Sequence, residues 1–317
     1  MKINRQLALE GALLKAFNPL PNETAQRLVS PLSDKVLGLL PMKLLNGYKT
    51  EISRPDGTPM RVCVLRGKKT EGKTVGILWL HGGGYVLGAP EMAVMSFPRH
   101  LINNTNCVIV SPAYRLSAEA PYPAALEDAY TALQWLGENR EALGITCDKF
   151  VIGGESAGGG LTAALCLYAR DKGESCIGLQ LPLYPMLDDR VTETSAHNTA
   201  PVWNTRANKS AWHIYLGDSV MNSGVSPYAA PARAEDLSGL PPAVSFIGTV
   251  EPFYAETRAF FDRLNAAGIE TALREYDGAY HAFDMMAPYA KISKEAVAFT
   301  LGEYRRLVGK YITEEAV

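Results

Sequence analysis

Gly154-Glu155-Ser156-Ala157-Gly158 sets a serine between two glycines, directly after the short apolar run KFVIG and ahead of a helix-compatible stretch. A hydroxyl held on such a strand-to-helix corner stands exposed at the strand end, and small flanking residues let the backbone double back on itself. The helix that starts there aims backbone N–H groups at negative charge forming beside Ser156. This is the layout of a nucleophile. A tight glycine-serine turn can also be purely structural, and its position after a strand is what favours chemistry.

A serine hydroxyl is a poor nucleophile near neutral pH and needs a base within hydrogen-bond reach, with a third group orienting that base. Of the five histidines, His81 and His100 precede Ser156, while His197 and His213 lie in a segment that breaks the surrounding pattern. His281 follows the last strand-like run, ETALREY, where this nucleophile-first order puts its base. The orienting acid belongs between the two. Glu251 fills that place in the loop Thr249-Val250-Glu251-Pro252-Phe253 after AVSFIG. A plain loop carboxylate or a first-turn helix acid is the alternative for Glu251, and Glu256, one turn on, is its rival.

His81-Gly82-Gly83-Gly84-Tyr85 follows another apolar run, TVGILWL. Consecutive glycines let the backbone approach a ligand closely and turn N–H groups toward it, as an oxyanion hole requires. Gly83, Gly84 and the N–H of Ala157 are the donors expected, with His81 bracing the loop. A phosphate-binding loop is the competing reading, but neither GxGxxG nor GxxxxGK[ST] occurs. No cofactor and no metal site is expected.

The elements that must hold these residues are short and repetitive. GYKTEIS and MRVCVLR alternate as a hairpin around Pro55-Asp56-Gly57. TVGILWL, CVIVS, KFVIG, GLQLPLY, AVSFIG and ETALREY then alternate with helix-compatible stretches, notably 122–138, 157–170, 254–267 and 290–310. Nearly continuous apolar runs mark strands covered on both faces, as in a mostly parallel α/β sheet of about eight strands flanked by helices. Residues 3–17 read as a helix, after which Pro19, Pro21, Pro31 and Pro41 are expected to break the chain into short pieces. Residues 1–46 and 195–220 are therefore expected to form a two-part cap on a catalytic core of 47–194 and 221–317.

Composition excludes other classes. The 317 residues carry 31 Lys+Arg against 33 Asp+Glu, a net charge of −2 without long like-charge runs, which gives no footprint for nucleic acid or an anionic membrane. The longest uncharged run, Thr74 to Pro90, holds His81 and three glycines and is no membrane span. Cys63, Cys107, Cys147, Cys166 and Cys176 are odd in number, scattered and free of CxxC spacing, which points to reduced thiols. With no signal peptide in the N-terminal residues, a cytoplasmic location is expected.

Taken together, HGGGY, YRLSAEAPYPAALEDAY (114–130), GESAGGG, LPP (240–242), GTVEPF and YHAF resemble the hormone-sensitive lipase family of α/β-hydrolase esterases, the bacterial family IV carboxylesterases. The similarity runs from about residue 47 to the C-terminus. It implies an α/β-hydrolase fold with a helical cap, Ser156 as nucleophile, His281 as base and acid, Glu251 as the triad carboxylate, and Gly83, Gly84 and Ala157 as the oxyanion hole. Tyr114, Arg115 and Glu119 look like that family's structural signature. Three positions depart from its pattern: Glu155 where Asp or Thr is usual, Glu251-Pro252-Phe253 in place of D-P-L, and YRLSAE in place of YRLAPE. The extra methylene of Glu251 requires its loop to retract slightly.

The expected activity is a serine carboxylesterase acting through an acyl-enzyme on small esters. Tyr85, Phe17, Trp203, Trp212, Tyr215 and Phe253 could roof a small pocket, although aromatics at such spacing also build plain core. Lacking a long apolar lid, the chain is expected to take acetyl to about hexanoyl chains. A non-catalytic ligand-binding receptor of the same fold, or amide and peptide hydrolysis on the same residues, are the alternatives. The unpaired edge of ETALREY offers a homodimer interface.

Overall fold

The structure is a computed structural model that describes residues 2–16, 22–68 and 72–313. After a single 3₁₀ turn, α1 (Ala8–Ala16) and α2 (Glu23–Leu37) precede a hairpin of β1 (Gly47–Ser53) and β2 (Pro59–Arg66). There follow β3 (Val75–Leu80), α3 (Phe97–Asn104), β4 (Cys107–Pro112), α4 (Ala124–Glu138), β5 (Phe150–Glu155), α5 (Ala157–Asp171) and β6 (Ile177–Leu183). The chain ends with α6 (Thr205–Leu216), β7 (Ala243–Gly248), α7 (Tyr254–Ala266), β8 (Thr271–Tyr276), α8 (Phe283–Met286) and α9 (Lys291–Val308).

These strands form one sheet in the order β1-β2-β4-β3-β5-β6-β7-β8. β2 runs antiparallel to β1 and β4, and every pairing from β4 through β8 is parallel. Each residue of β3, β4, β5 and β7 is buried, the two-sided cover that their unbroken apolar runs predict. Because β3, β5, β7 and β8 are parallel, their C-terminal ends point the same way, and in open α/β sheets ligands gather at that edge. Among the described residues β8 is the outer strand and pairs with β7 alone.

One expectation is corrected. Pro31 does not break the chain; it lies inside α2, which runs on to Leu37. The proline forfeits one backbone hydrogen bond. Offsetting interactions hold the helix: Asn22 Oδ1 accepts from Ala25 N at 3.0 Å, and Gln26 Nε2 donates to Ala207 O of α6 at 3.1 Å. His213 Nδ1 also meets Glu23 Oε2 at 2.8 Å, so α2 and α6 touch at a second point. Pro19, Pro21 and Phe17 lie outside the described residues. The five cysteines are unpaired. Among the described residues no helix is long and apolar enough to cross a membrane.

Candidate active site

Ser156 sits between β5 and α5 with φ 58° and ψ −119°, a conformation that a serine adopts only when its surroundings enforce it. Glycine on either side makes the corner possible: a Cβ on Gly154 would collide with Gly158 O, and one on Gly158 with Leu80 O at the end of β3. The corner is pinned by Ser156 N donating to Leu183 O at 3.0 Å and by Met186 N donating to Ser156 O at 3.0 Å. As the first residue of α5, Ala157 has an N–H with no intrahelical acceptor, free for a ligand.

The glycine loop leaves β3 through backbone in the left-handed region at Gly83 (φ 121°), Gly84 (φ 64°) and Tyr85 (φ 63°). Leu87 N donates to Gly83 O at 2.9 Å, and Ser117 N to Tyr85 O at 2.8 Å. His81 is buried and stacked on Tyr114 at 4.1 Å between centroids, with its Nδ1 2.8 Å from Gly82 O. Tyr114 Oη donates to His81 O at 2.7 Å. Burial pushes the His81 imidazole down to about 4, so it is neutral and serves as a brace.

Two loops bring the remaining groups from the far side of the sheet. Thr249 N donates to Tyr276 O at 3.1 Å, Val250 N to Ala279 O at 3.2 Å and Gly278 N to Thr249 Oγ1 at 2.9 Å, which ties the loop after β7 to the loop after β8. Asn198 Nδ2 donates to Val250 O at 3.0 Å, and Thr194 Oγ1 to Pro252 O at 2.8 Å, so the segment before α6 holds the same loop. In the resulting arrangement Ser156 Oγ lies 2.8 Å from His281 Nε2, and His281 Nδ1 lies 2.5 Å from Glu251 Oε2. Glu251 Oε1 accepts from Gly248 N at 3.0 Å, which fixes the carboxylate from behind. Hydroxyl, imidazole and carboxylate joined in this order can move a proton from oxygen to nitrogen as the oxygen attacks.

Comparison with known proteins gives the same picture. The family model described as alpha/beta hydrolase fold matches residues 77–285. The chain belongs to that family.

Within it, this protein is a carboxylic ester hydrolase of the hormone-sensitive lipase type. It is 32% identical over 236 residues to the carboxylesterase NlhH of Mycobacterium tuberculosis, covering 73% of each chain. To the esterase LipI of the same organism it is 30% identical over 222 residues, 69% of each chain. A bacterial heroin esterase superimposes with a TM-score of 0.82 at 30% identity, over 96% of this chain and 98% of the other.

The esterase's rival carboxylate is occupied elsewhere. Glu256 is buried, and its Oε1 accepts from Leu187 N at 2.7 Å and Asp188 N at 3.2 Å. Burial drives it well above the usual carboxylate range, toward the neutral form. The aromatic residues separate into two groups. Phe253 meets the His281 ring edge-on at 5.1 Å, and Trp203 lies 6.4 Å from it. Tyr85 is buried face to face with Tyr215 at 4.0 Å, and Trp212 packs on both.

Three buried side chains adjoin the site, of which the sequence alone singles out only Glu155, as a departure from the family pattern. Tyr184 packs edge-on against His281 at 5.2 Å from the end of β6. Asp284, three residues past His281, and Glu155, one before Ser156, are both buried carboxyls. Desolvation raises Glu155 to about 8 and Asp284 to about 7, and each repels ionisation of its neighbours. Glu155 Oε1 accepts from Phe97 N at 2.8 Å. Asp284 lies in the first turn of α8, past the left-handed Ala282 (φ 55°), so no periodicity in the sequence ties it to His281.

Proposed function

We propose that this hydrolase is a serine carboxylesterase that cleaves short-chain acyl esters, acetyl to about hexanoyl, through an acyl-enzyme. The hydrogen-bonded chain from Ser156 Oγ through His281 to Glu251 carries the reading. His281 Nε2 takes the Ser156 proton as Oγ bonds to the ester carbonyl carbon, and the carbonyl electrons move onto oxygen. The backbone N–H groups of Gly83, Gly84 and Ala157 receive that oxyanion, together with the positive end of α5. Loss of one such donor typically raises the barrier by about 2.7–4 kcal/mol. The imidazolium then protonates the leaving alkoxide as the C–O bond breaks. Water gives a proton to His281 Nε2 as it adds to the acyl carbon; the acyl C–Oγ bond then breaks, the imidazolium returns its proton to Ser156 Oγ, and the acid departs. Glu251 keeps Nδ1–H pointed inward and offsets the charge that the ring acquires.

Short acyl chains fit a site whose Ser156 and His281 are only 7% and 3% exposed and which Trp203 and Phe253 crowd. Ser156→Ala is expected to lower hydrolysis of a short-chain aryl ester by at least about 10⁴-fold. In parallel, the native enzyme assayed on aryl esters of graded length is expected to peak at or below hexanoyl. Full activity of Ser156→Ala would remove the nucleophile assignment, and rates that climb beyond hexanoyl would remove the chain-length assignment.

A further inference from the structure

Trp203 packs against both the glycine loop and the imidazole. Its ring lies against Gly84 so closely that a Cβ on that glycine would be 2.8 Å from Cζ2 and closer still to Cη2. The same indole lies 6.4 Å from the His281 ring, tilted 43° to it, and the residue is only 4% exposed. The space between the glycine loop, the imidazole and α6 is thus filled by one side chain. It is held there by its neighbours. Trp203 Nε1 donates to the buried Asn208 Oδ1 at 3.3 Å, and Trp203 N donates to Pro201 O at 2.8 Å. The preceding Val202 has φ 67°, a strained setting for a β-branched residue.

Two open volumes are walled by chain neighbours of Trp203, though not by Trp203 itself. A cleft of about 660 Å³ has Pro201, Val202 and Asn204 in its wall, and a cavity of about 310 Å³ has Asn208 and Trp212 in its wall. Neither Ser156 nor His281 lines either one. Two further rings, Tyr184 and Phe253, pack edge-on against His281 and are themselves buried. A larger ester therefore has to take the space of the Trp203 ring or displace it from Asn208.

We propose that the Trp203 indole is the specificity-determining group of this esterase, setting the size limit of the ester that reaches Ser156. The proposal rests on Ser156 as the nucleophile. Its strength follows from the contact: the ring is packed against the Gly84 backbone and tethered to Asn208, and each methylene accepted or refused is worth roughly 10–200-fold in discrimination.

The test is kcat/KM on two series, acyl chains from acetyl to decanoyl on one aryl alcohol, and acetates of alcohols of increasing bulk. The proteins are the native enzyme, Trp203→Ala, Trp203→Leu and Asn208→Leu. Removing the ring is expected to raise the ratio of large to small substrate at least tenfold in one series or both, mainly through KM. Trp203→Leu retains an apolar filler, so the result does not hinge on how the alanine variant folds. Asn208→Leu, which keeps the ring but frees it, is expected to shift the ratio in the same direction and less. Labelling of Ser156 by a small organophosphonate verifies that each variant keeps an active centre. Unchanged ratios in labelled Trp203→Ala and Trp203→Leu would overturn the proposal. A Ser156→Ala enzyme that still hydrolysed these esters would instead overturn the nucleophile, whatever Trp203 does.

Discussion

At the scale of single residues, two buried glutamates five positions apart have opposite environments. Glu251 shares its Oε2 with His281, while Glu256 spends its Oε1 on two backbone N–H groups beyond β6. An amide at position 251 favours the wrong tautomer of the imidazole, a fault that costs roughly 10⁴-fold in kcat in comparable triads. Glu251→Gln is therefore expected to lose activity on that scale without loss of fold. Glu256→Gln preserves shape and acceptor oxygen, and removes a carboxyl that burial already keeps near neutral, so its kcat is expected to stay close to native. Steady-state rates on one aryl acetate separate the two, and a larger loss for Glu256→Gln would show that the wrong carboxylate has been chosen.

At the scale of elements, the glycine loop depends on a helix that never touches substrate. Asp128 of α4 is buried, accepts from Arg115 N at 2.8 Å and meets the guanidinium groups of both Arg115 and Arg54. That fixes the segment whose Tyr114 Oη and Ser117 N bond the carbonyls of His81 and Tyr85. Deleting one partner of a buried pair leaves the other charge uncompensated, typically at about 3–5 kcal/mol. Asp128→Ala is expected to lower the denaturant midpoint accordingly and to reduce kcat as the loop loosens. An equally stable variant would show that the network is ornamental. Close approach of α5 to β3 belongs to the same scale, because Gly158 admits no side chain beside Leu80.

For the molecule as a whole, buried titratable groups around the site set how stability follows pH. Glu155 and Asp284 are raised in the folded state to about 8 and about 7, chiefly by desolvation. A raised carboxyl binds its proton more tightly folded than unfolded. Its contribution is therefore complete below the ordinary carboxylate value of the unfolded chain and is lost as pH rises through the folded value. His81 works in the opposite sense: depressed to about 4 from 6.5, it favours folding above 6.5 and loses that advantage as pH falls toward 4. Of these three groups, the two carboxyls are the ones that act between pH 6.5 and 8. Denaturant midpoints of the native enzyme are expected to fall across that window, and those of Glu155→Gln to fall less; parallel slopes would refute the burial of a neutral Glu155.

The sequence by itself determined what a few adjacent residues can decide. The strand, the glycine-flanked Ser156 and the helix behind it are readable because backbone sterics act over about four residues. Consecutive glycines at 82–84 announce a close approach for the same reason. Chain order nominated His281 over the other histidines, and the uncharged run from Thr74 to Pro90 became β3 and the loop it delivers. Tertiary structure alone decided the rest. Whether Glu251 or Glu256 faces the imidazole depends on which way a loop retracts, and whether Trp203 or Trp212 reaches it depends on how α6 packs on α2 and the core. Pro31 survives inside α2 because partners almost two hundred residues away, Ala207 and His213, hold that helix. Such contacts join segments far apart in the chain, and their energy depends on shape and burial after folding, which no local pattern records.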